Sequence, residues 1–198
     1  MTTKRRDGLI LVVALAAVMW VVEIIDRLDH GGLDRHGIQP RSLDGLQGVV
    51  AAPFLHASWS HLEGNTVPFL VLGAVIALGG LARVAAVTVI VVVVGGLGTW
   101  LIAPGHTVTI GASGVVFGYA AYLIGLGVAT RRLLDLAIGV LVLVIYGTTL
   151  WFSLVPTTGV SWQAHVCGAI GGLVAVWIQR RNAAARRPVP PRDPLMIS

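Results

Sequence analysis

Charged residues are scarce in this chain of 198 residues. Lys and Arg number 14 and Asp and Glu number 9, so only 12% of the sequence is charged, whereas 56% is hydrophobic. A soluble globular domain carries about 25% charged residues. With a mean hydropathy of +0.84, this composition excludes an ordinary soluble domain and predicts an all-α polytopic membrane protein.

Several other features are missing, and each absence excludes a class of protein. The single cysteine, Cys167, excludes an intrachain disulfide framework, and no His-Glu-x-x-His motif of a zinc peptidase occurs. No carboxylate lies near the middle of a predicted span, which argues against a proton-coupled transporter. Basic residues are not interleaved with aromatics, so a nucleic-acid surface is not expected. We predict no metal and no other cofactor.

Long apolar runs dominate what remains. A helix needs roughly 20 residues to cross a hydrocarbon core about 30 Å thick. Six stretches meet that length approximately: residues 8–25, 61–80, 82–102, 113–130, 133–152 and 162–179. We therefore predict a six-helix membrane domain over residues 8–180, and we interpret its first stretch as a retained helix rather than a signal peptide, because no small-residue cleavage site follows it.

Basic residues predict the orientation of these spans. If the amino terminus is cytoplasmic, eleven of the fourteen Lys and Arg residues fall on the inner side, and only Arg27, Arg35 and Arg41 lie outside. Residues 1–7 then form a cytoplasmic amino terminus, and the proline-rich residues 181–198 form a disordered cytoplasmic tail. Usage rich in Ala, Val, Gly and Arg indicates a high-GC bacterium, and hence the bacterial plasma membrane.

The one long connection is the first outer loop, residues 26–60. Its second half, residues 43–55, is apolar but too short to span a membrane. We expect a short interfacial or re-entrant helix there, and an ordinary packed loop is the alternative. The following span is predicted to begin with a capping box, with Ser60 as N-cap and Glu63 at the third position. Ser161 is predicted to cap the sixth span in the same way.

Polar residues lie at the starts of spans two, four and six, which all begin at the outer face. Ser113 stands in Gly111-Ala-Ser-Gly114 at the head of the fourth span. There its hydroxyl is flanked by small residues and lies beside the unpaired N–H groups of a helix start. An oxyanion needs such donors. Alone, however, this motif is more typical of a serine that bonds back to a carbonyl of its own helix.

A histidine one turn into the sixth span changes this interpretation. His165 can accept the hydroxyl proton of a serine and return it to a leaving amine. The spacing small-xxx-small lets two helices approach closely in lipid, and it follows both residues, as Gly114 and Gly118 in one helix and Gly168 and Gly172 in the other. Because no intramembrane aspartate is available, we predict a Ser–His dyad rather than a triad.

The second span carries further polar groups. His61 and Asn65 are four residues apart, so they share one helix face. Their N–H groups, together with the Ser113 backbone N–H, can surround a developing oxyanion. His56 precedes the helix and is expected to support this arrangement rather than to donate. Phe117, one turn after Ser113, can stack on the His165 ring or simply fill space.

Two histidines on different membrane helices also suggest an alternative function. His61 and His165 could hold a haem in a membrane electron carrier. That hypothesis leaves Ser113 and Asn65 without a role, which favours the Ser–His dyad.

Together, the strings His56-xxxx-His61-xxx-Asn65, Gly111-Ala-Ser-Gly114 and Ala164-His-xx-Gly168 resemble those of the rhomboid intramembrane serine proteases. The resemblance implies a six-helix rhomboid-like bundle with a long, partly membrane-embedded first outer loop. It implies Ser113 as nucleophile, His165 as base, and an oxyanion hole from Asn65, His61 and the Ser113 backbone. It also places an aromatic, here Phe117, against the base.

The same resemblance implies partners. Family substrates are typically single-span transmembrane proteins, and the protein is expected to work within the lipid bilayer; no oligomeric state follows from the sequence. The Trp-Arg pair that many rhomboids carry in the first loop has no counterpart here. A rhomboid-like scaffold without catalysis is a further alternative, although such a scaffold is expected to lack the serine or the histidine.

Overall fold

The computed structural model describes residues 2–152, 154–155 and 159–185, and all their regular secondary structure is helical, as predicted. Within these residues a single turn of helix, α2, lies at Gly48–Ala51, and six helices have 18 residues or more. They are α1 (Thr3–Leu28), α3 (Trp59–Ala77), α4 (Leu81–Ile102), α5 (Ser113–Thr130), α6 (Leu133–Phe152) and α7 (Trp162–Ala185).

Three of these helices, α1, α4 and α5, are long and apolar enough to cross a membrane, and α6 contains the shorter apolar stretch Leu133–Thr148. The count of six spans therefore stays a prediction. Helix α7 continues to Ala185, so residues 181–185 are helical although they were predicted to belong to the disordered tail. The rest of that tail, residues 186–198, lies outside the described residues.

The predicted start of the second span was wrong by two residues. Helix α3 is capped by Ser58, whose Oγ accepts the His61 N–H at 3.2 Å, and not by Ser60. Ser58 has the extended backbone (φ −167°, ψ 161°) that an N-cap requires, whereas Ser60 is already helical and Glu63 is exposed. The cap of α7 is the predicted one, because Ser161 Oγ accepts the Ala164 N–H at 3.4 Å.

Glycines bring the backbones of α5 and α7 into contact. A Cβ atom on Gly168 would overlap the Gly114 carbonyl oxygen, and one on Gly172 would overlap the Gly118 carbonyl oxygen. Helix α4 closes on the same face, since a Cβ on its Gly95 would lie 3.1 Å from the Gly168 Cα. These helices can approach this closely because no side chain separates them.

The first outer loop packs on the bundle and does not project from it. Val49 of α2 fills the notch at Gly96 of α4, where a Cβ would lie 2.8 Å from Val49 Cγ1. Ile38 and Thr109 exchange two backbone hydrogen bonds of 2.9 Å, which tie the loop to the segment before α5. Within residues 43–55 the structure has the single turn of helix α2; whether this segment is interfacial or re-entrant stays a prediction.

Acidic side chains gather where α1 meets this loop. Glu23 and Asp26 are 0% and 1% exposed, and Asp26 Oδ1 accepts the Leu33 N–H at 2.8 Å. Burial, followed by the negative charges of Asp26 and Glu23, raises the pKa of Asp34 to about 6. The folded protein therefore binds a proton on Asp34 more readily than the unfolded chain does.

The raised pKa of Asp34 predicts a pH-dependent effect on stability. A carboxyl whose folded-state pKa is raised destabilises the fold fully above that pKa, and the penalty disappears as pH falls from about 6 towards 4. We expect Asp34→Asn to unfold at a higher temperature than wild type at pH 8 and at the same temperature at pH 4.5. The measurement is thermal unfolding in detergent. Asp44→Asn is the control, because it removes an exposed carboxylate from the same loop. An equal rise in the unfolding temperature of Asp44→Asn at pH 8 would contradict this explanation.

The close contact at Gly168 predicts that glycine-to-alanine substitutions at two positions change the stability of the protein in different ways. Gly168→Ala should destabilise the protein by roughly 1–3 kcal/mol, because the added methyl group meets backbone that cannot yield. Gly147→Ala in α6 meets only ordinary contacts at 3.6 Å or more, and the helix propensity of alanine should make it neutral or stabilising by up to about 1 kcal/mol. Thermal unfolding of both variants tests this; equal effects would refute the close-packing account.

Candidate active site

Ser113 and His165 lie in hydrogen-bond contact. The Ser113 Oγ is 2.9 Å from Nε2 of His165, although the two residues are 52 positions apart in sequence. Ser113 is the first residue of α5, and His165 lies one turn into α7 with 5% of its surface exposed. In the tautomer that leaves Nε2 unprotonated, the hydroxyl donates and the imidazole accepts. This is the geometry that a nucleophile and its base require.

Phe117 holds the plane of the His165 ring. The two rings are stacked with centroids 4.2 Å apart and an angle of 3° between their planes. Because Phe117 lies one helical turn after Ser113, one helix supplies both the hydroxyl and the surface against which the imidazole rests. The sequence left two roles open for Phe117, stacking on His165 or filling space, and in the structure it stacks.

His61 and Asn65 approach the start of α5 from α3. A Cβ on Gly111 would lie 2.7 Å from His61 Cε1, so the ring approaches this segment only because position 111 has no side chain. Gly111 also has φ +115°, a conformation that favours glycine. Asn65 is 6% exposed, and its Nδ2 donates one hydrogen to the His61 carbonyl at 2.9 Å. The second hydrogen of that amide group remains for another acceptor.

His56 contacts two residues next to the site, Ala112 and His61. Its ring is 1% exposed, its Nε2 accepts the Ala112 N–H at 3.3 Å, and it meets His61 edge-on with centroids 5.1 Å apart. Burial, followed by the charge of His61, lowers the pKa of His56 to about 4. His56 is therefore neutral near pH 7, as a ring nitrogen that accepts a hydrogen bond must be.

The backbone donors around Ser113 divide into used and unused groups. The Gly111 N–H bonds to Ala52 O at 2.8 Å, and the Val115 N–H bonds to Ala112 O at 2.9 Å. The Ala112 N–H bonds to His56. The next two N–H groups, those of Ser113 and Gly114, have no partner among the described residues. Orphan donors of this kind at a helix start favour a negative charge or an anionic oxygen.

A cavity of about 440 Å³ opens over these groups. Its lining includes Ser113, His165, Asn65, His61 and Tyr146 of α6. A second cavity of about 650 Å³ adjoins it and shares His61, Thr109 and the residues just before α7. Both cavities lie at the helix ends from which α3, α5 and α7 begin, so the serine is accessible from one face of the bundle.

No group of three or more His, Cys, Asp or Glu side chains suited to a metal ion occurs in the part of the chain that the structure describes. Cys167 is a buried free thiol packed against Gly98 of α4. The groups that meet at the start of α5 are a hydroxyl, an imidazole and N–H donors.

One set of contacts near the site was missed in the sequence. Arg27 Nε pairs with Glu23 Oε1 at 2.7 Å, and Arg27 Nη2 donates to the His56 carbonyl at 3.3 Å. The spacing of four residues between Glu23 and Arg27 signals the ion pair. Nothing in the sequence signals the bond to His56, because the acceptor is a backbone carbonyl.

Known proteins resemble this chain over most of its length. Residues 44–182 match the model of the Rhomboid domain. An uncharacterized protein of Mycobacterium tuberculosis is 42% identical over 202 residues, covering 94% of this chain and 84% of the relative. An uncharacterized protein of Mycobacterium leprae is 44% identical over 180 residues, covering 86% and 71%. The domain match and the site geometry point to one conclusion: this chain is a member of the rhomboid family.

Proposed function

We propose that this protein is an intramembrane serine endopeptidase that cleaves transmembrane segments of other membrane proteins. The observation that carries the proposal is the 2.9 Å contact between Ser113 Oγ and His165 Nε2 at a helix start. Rhomboid family membership supports the same chemistry, since this family is generally proteolytic.

The reaction follows from the positions of the two side chains. His165 Nε2 takes the Ser113 hydroxyl proton as Oγ attacks the carbonyl carbon of the scissile peptide bond. The tetrahedral intermediate collapses when His165 returns that proton to the leaving amine, which leaves an acyl group on Ser113. Water from the cavity then loses a proton to His165 and attacks the ester carbonyl carbon. The second intermediate collapses as His165 gives that proton to Ser113 Oγ, which releases the carboxylic acid product and restores the serine.

Three donors are suited to the oxyanion of the intermediate. They are the Ser113 backbone N–H, the second Nδ2 hydrogen of Asn65 and a ring N–H of His61. Each lies at the wall of the cavity that holds Ser113, and the loss of one such donor typically costs ~3 kcal/mol of transition-state stabilisation. Phe117 keeps the imidazole in line with the hydroxyl throughout.

The proposal includes a location and a substrate class. Six spans with the basic residues inside give a multi-pass protein of the bacterial plasma membrane with both termini in the cytoplasm. The mycobacterial relatives support a bacterial origin. Ser113 then lies below the outer surface, where the expected substrates are single-span membrane proteins whose helix unwinds locally.

Two other functions make different predictions. A haem carrier would need His165 Nε2 as an iron ligand, but that nitrogen faces Ser113 Oγ; a Soret band in the purified protein would favour it. A non-catalytic rhomboid scaffold would bind membrane segments and leave them intact. The favourable contact between a hydroxyl and a base supports the peptidase over both.

The dyad predicts that either partner alone is inactive. Ser113→Ala and His165→Ala should each lower kcat for a model transmembrane substrate by roughly a thousandfold or more, because neither group is an effective nucleophile without the other. A fluorophosphonate probe should label wild type at Ser113 only. The assay uses purified protein in proteoliposomes.

Two variants are matched controls for these substitutions. Ser42→Ala and His36→Ala change the same residue types in the first outer loop, away from the dyad, and should retain wild-type kcat. Wild-type cleavage by a folded Ser113→Ala protein would overturn the proposed mechanism.

A further inference from the structure

Arg27 joins the outer end of α1 to the loop residue that supports the site. Its Nε pairs with Glu23 Oε1 at 2.7 Å, and its Nη2 donates to the His56 carbonyl at 3.3 Å. Arginine can make both contacts at once because its donors form a rigid planar fork, which the point charge of lysine lacks. The side chain therefore fixes the position of the His56 backbone relative to α1.

The ion pair between Arg27 and Glu23 is unusual because its carboxylate is fully buried. The Glu23 carboxylate is 0% exposed, it bonds to Arg27 through Oε1, and its Oε2 has no hydrogen-bond partner among the described residues. The Arg27 side chain is 37% exposed, so only the carboxylate of this pair is buried. Burying a carboxylate with one unpartnered oxygen costs free energy, so Glu23 is poorly explained as a source of stability. It is better explained by the geometry that it imposes on Arg27.

His56 connects Arg27 to the start of α5 through two hydrogen bonds. Its carbonyl is held by Arg27, while its buried ring accepts the Ala112 N–H through Nε2. Ala112 is the N-cap of α5, and the next residue is Ser113. The ring of His56 thus fixes where the first turn of α5 begins, and with it the direction of the Ser113 N–H.

We infer that Arg27, held by Glu23, is a positioning residue for the reaction at Ser113, acting through His56 and Ala112. This inference rests on the proposed function. The loop has other, independent anchors: Arg41 donates to the carbonyls of Leu101 and Ala103 at 2.9 and 2.8 Å, and Ile38 pairs with Thr109. Loss of Arg27 therefore leaves the loop attached but allows His56 to shift.

The experiment compares Arg27→Gln with Arg41→Gln in full-length protein in proteoliposomes. Both variants remove an arginine that donates to backbone carbonyl oxygen, but of the two only Arg27 contacts His56. Arg27→Gln should lower kcat on the order of tenfold to a hundredfold with KM within about twofold, because misplacement of a nucleophile slows the chemical step rather than binding. Arg41→Gln should keep kcat within about twofold of wild type.

A second readout does not depend on catalysis. Hydrogen–deuterium exchange of the Ala112 amide should become faster in Arg27→Gln and stay unchanged in Arg41→Gln. Arg27→Lys should restore kcat only in part. Glu23→Gln should have a smaller effect than Arg27→Gln, and the double variant should be no worse than Arg27→Gln alone if the two residues act as a unit.

The outcomes separate this inference from the proposed function. Wild type that neither cleaves a substrate nor reacts with a fluorophosphonate would end the proposed function. An active wild type with unchanged kcat and unchanged Ala112 exchange in Arg27→Gln would overturn the positioning role. Equal losses of kcat in Arg27→Gln and Arg41→Gln would also overturn it, since they would mark a general effect of loosening the loop.

Discussion

The contact between the glycine faces of α5 and α7 determines where Ser113 and His165 can meet. Gly168 and Gly172 lie against the carbonyls of Gly114 and Gly118, so the two helix axes are as close as their backbones allow. At that separation the first residue of α5 and a residue one turn into α7 meet at 2.9 Å. Larger residues at these positions would separate the hydroxyl from the imidazole.

Much of this arrangement follows from the sequence. The predicted alternation of spans across a membrane places Ser113, His165 and His61 at one face, and the repeated small residues predict that α5 and α7 approach each other. The boundaries of α5 and α6 agree with the apolar stretches. The N-cap of α3 did not follow, because Ser58 and Ser60 are both suitable caps and only the extended backbone at Ser58 distinguishes them.

Other parts of the site leave little trace in a sequence. The unusual φ of Gly111 and the contact between Arg27 and the His56 carbonyl both depend on where a distant backbone lies. A carbonyl is present at every residue, so its partner cannot be read from residue types. The Glu23–Arg27 spacing is visible, but it is also typical of an ordinary ion pair on a helix surface.

The distribution of backbone donors connects these features. In a membrane an unsatisfied N–H costs several kcal/mol, so a fold pairs nearly all of them. Here the Gly111 and Ala112 donors are taken by Ala52 and His56. The low pKa of His56 keeps its ring neutral and able to accept. The donors of Ser113 and Gly114 then stay available beside a cavity that can hold water. Arg27 donates to the carbonyl of the histidine that accepts the Ala112 N–H, so a charge on α1 is linked by two hydrogen bonds to the start of α5.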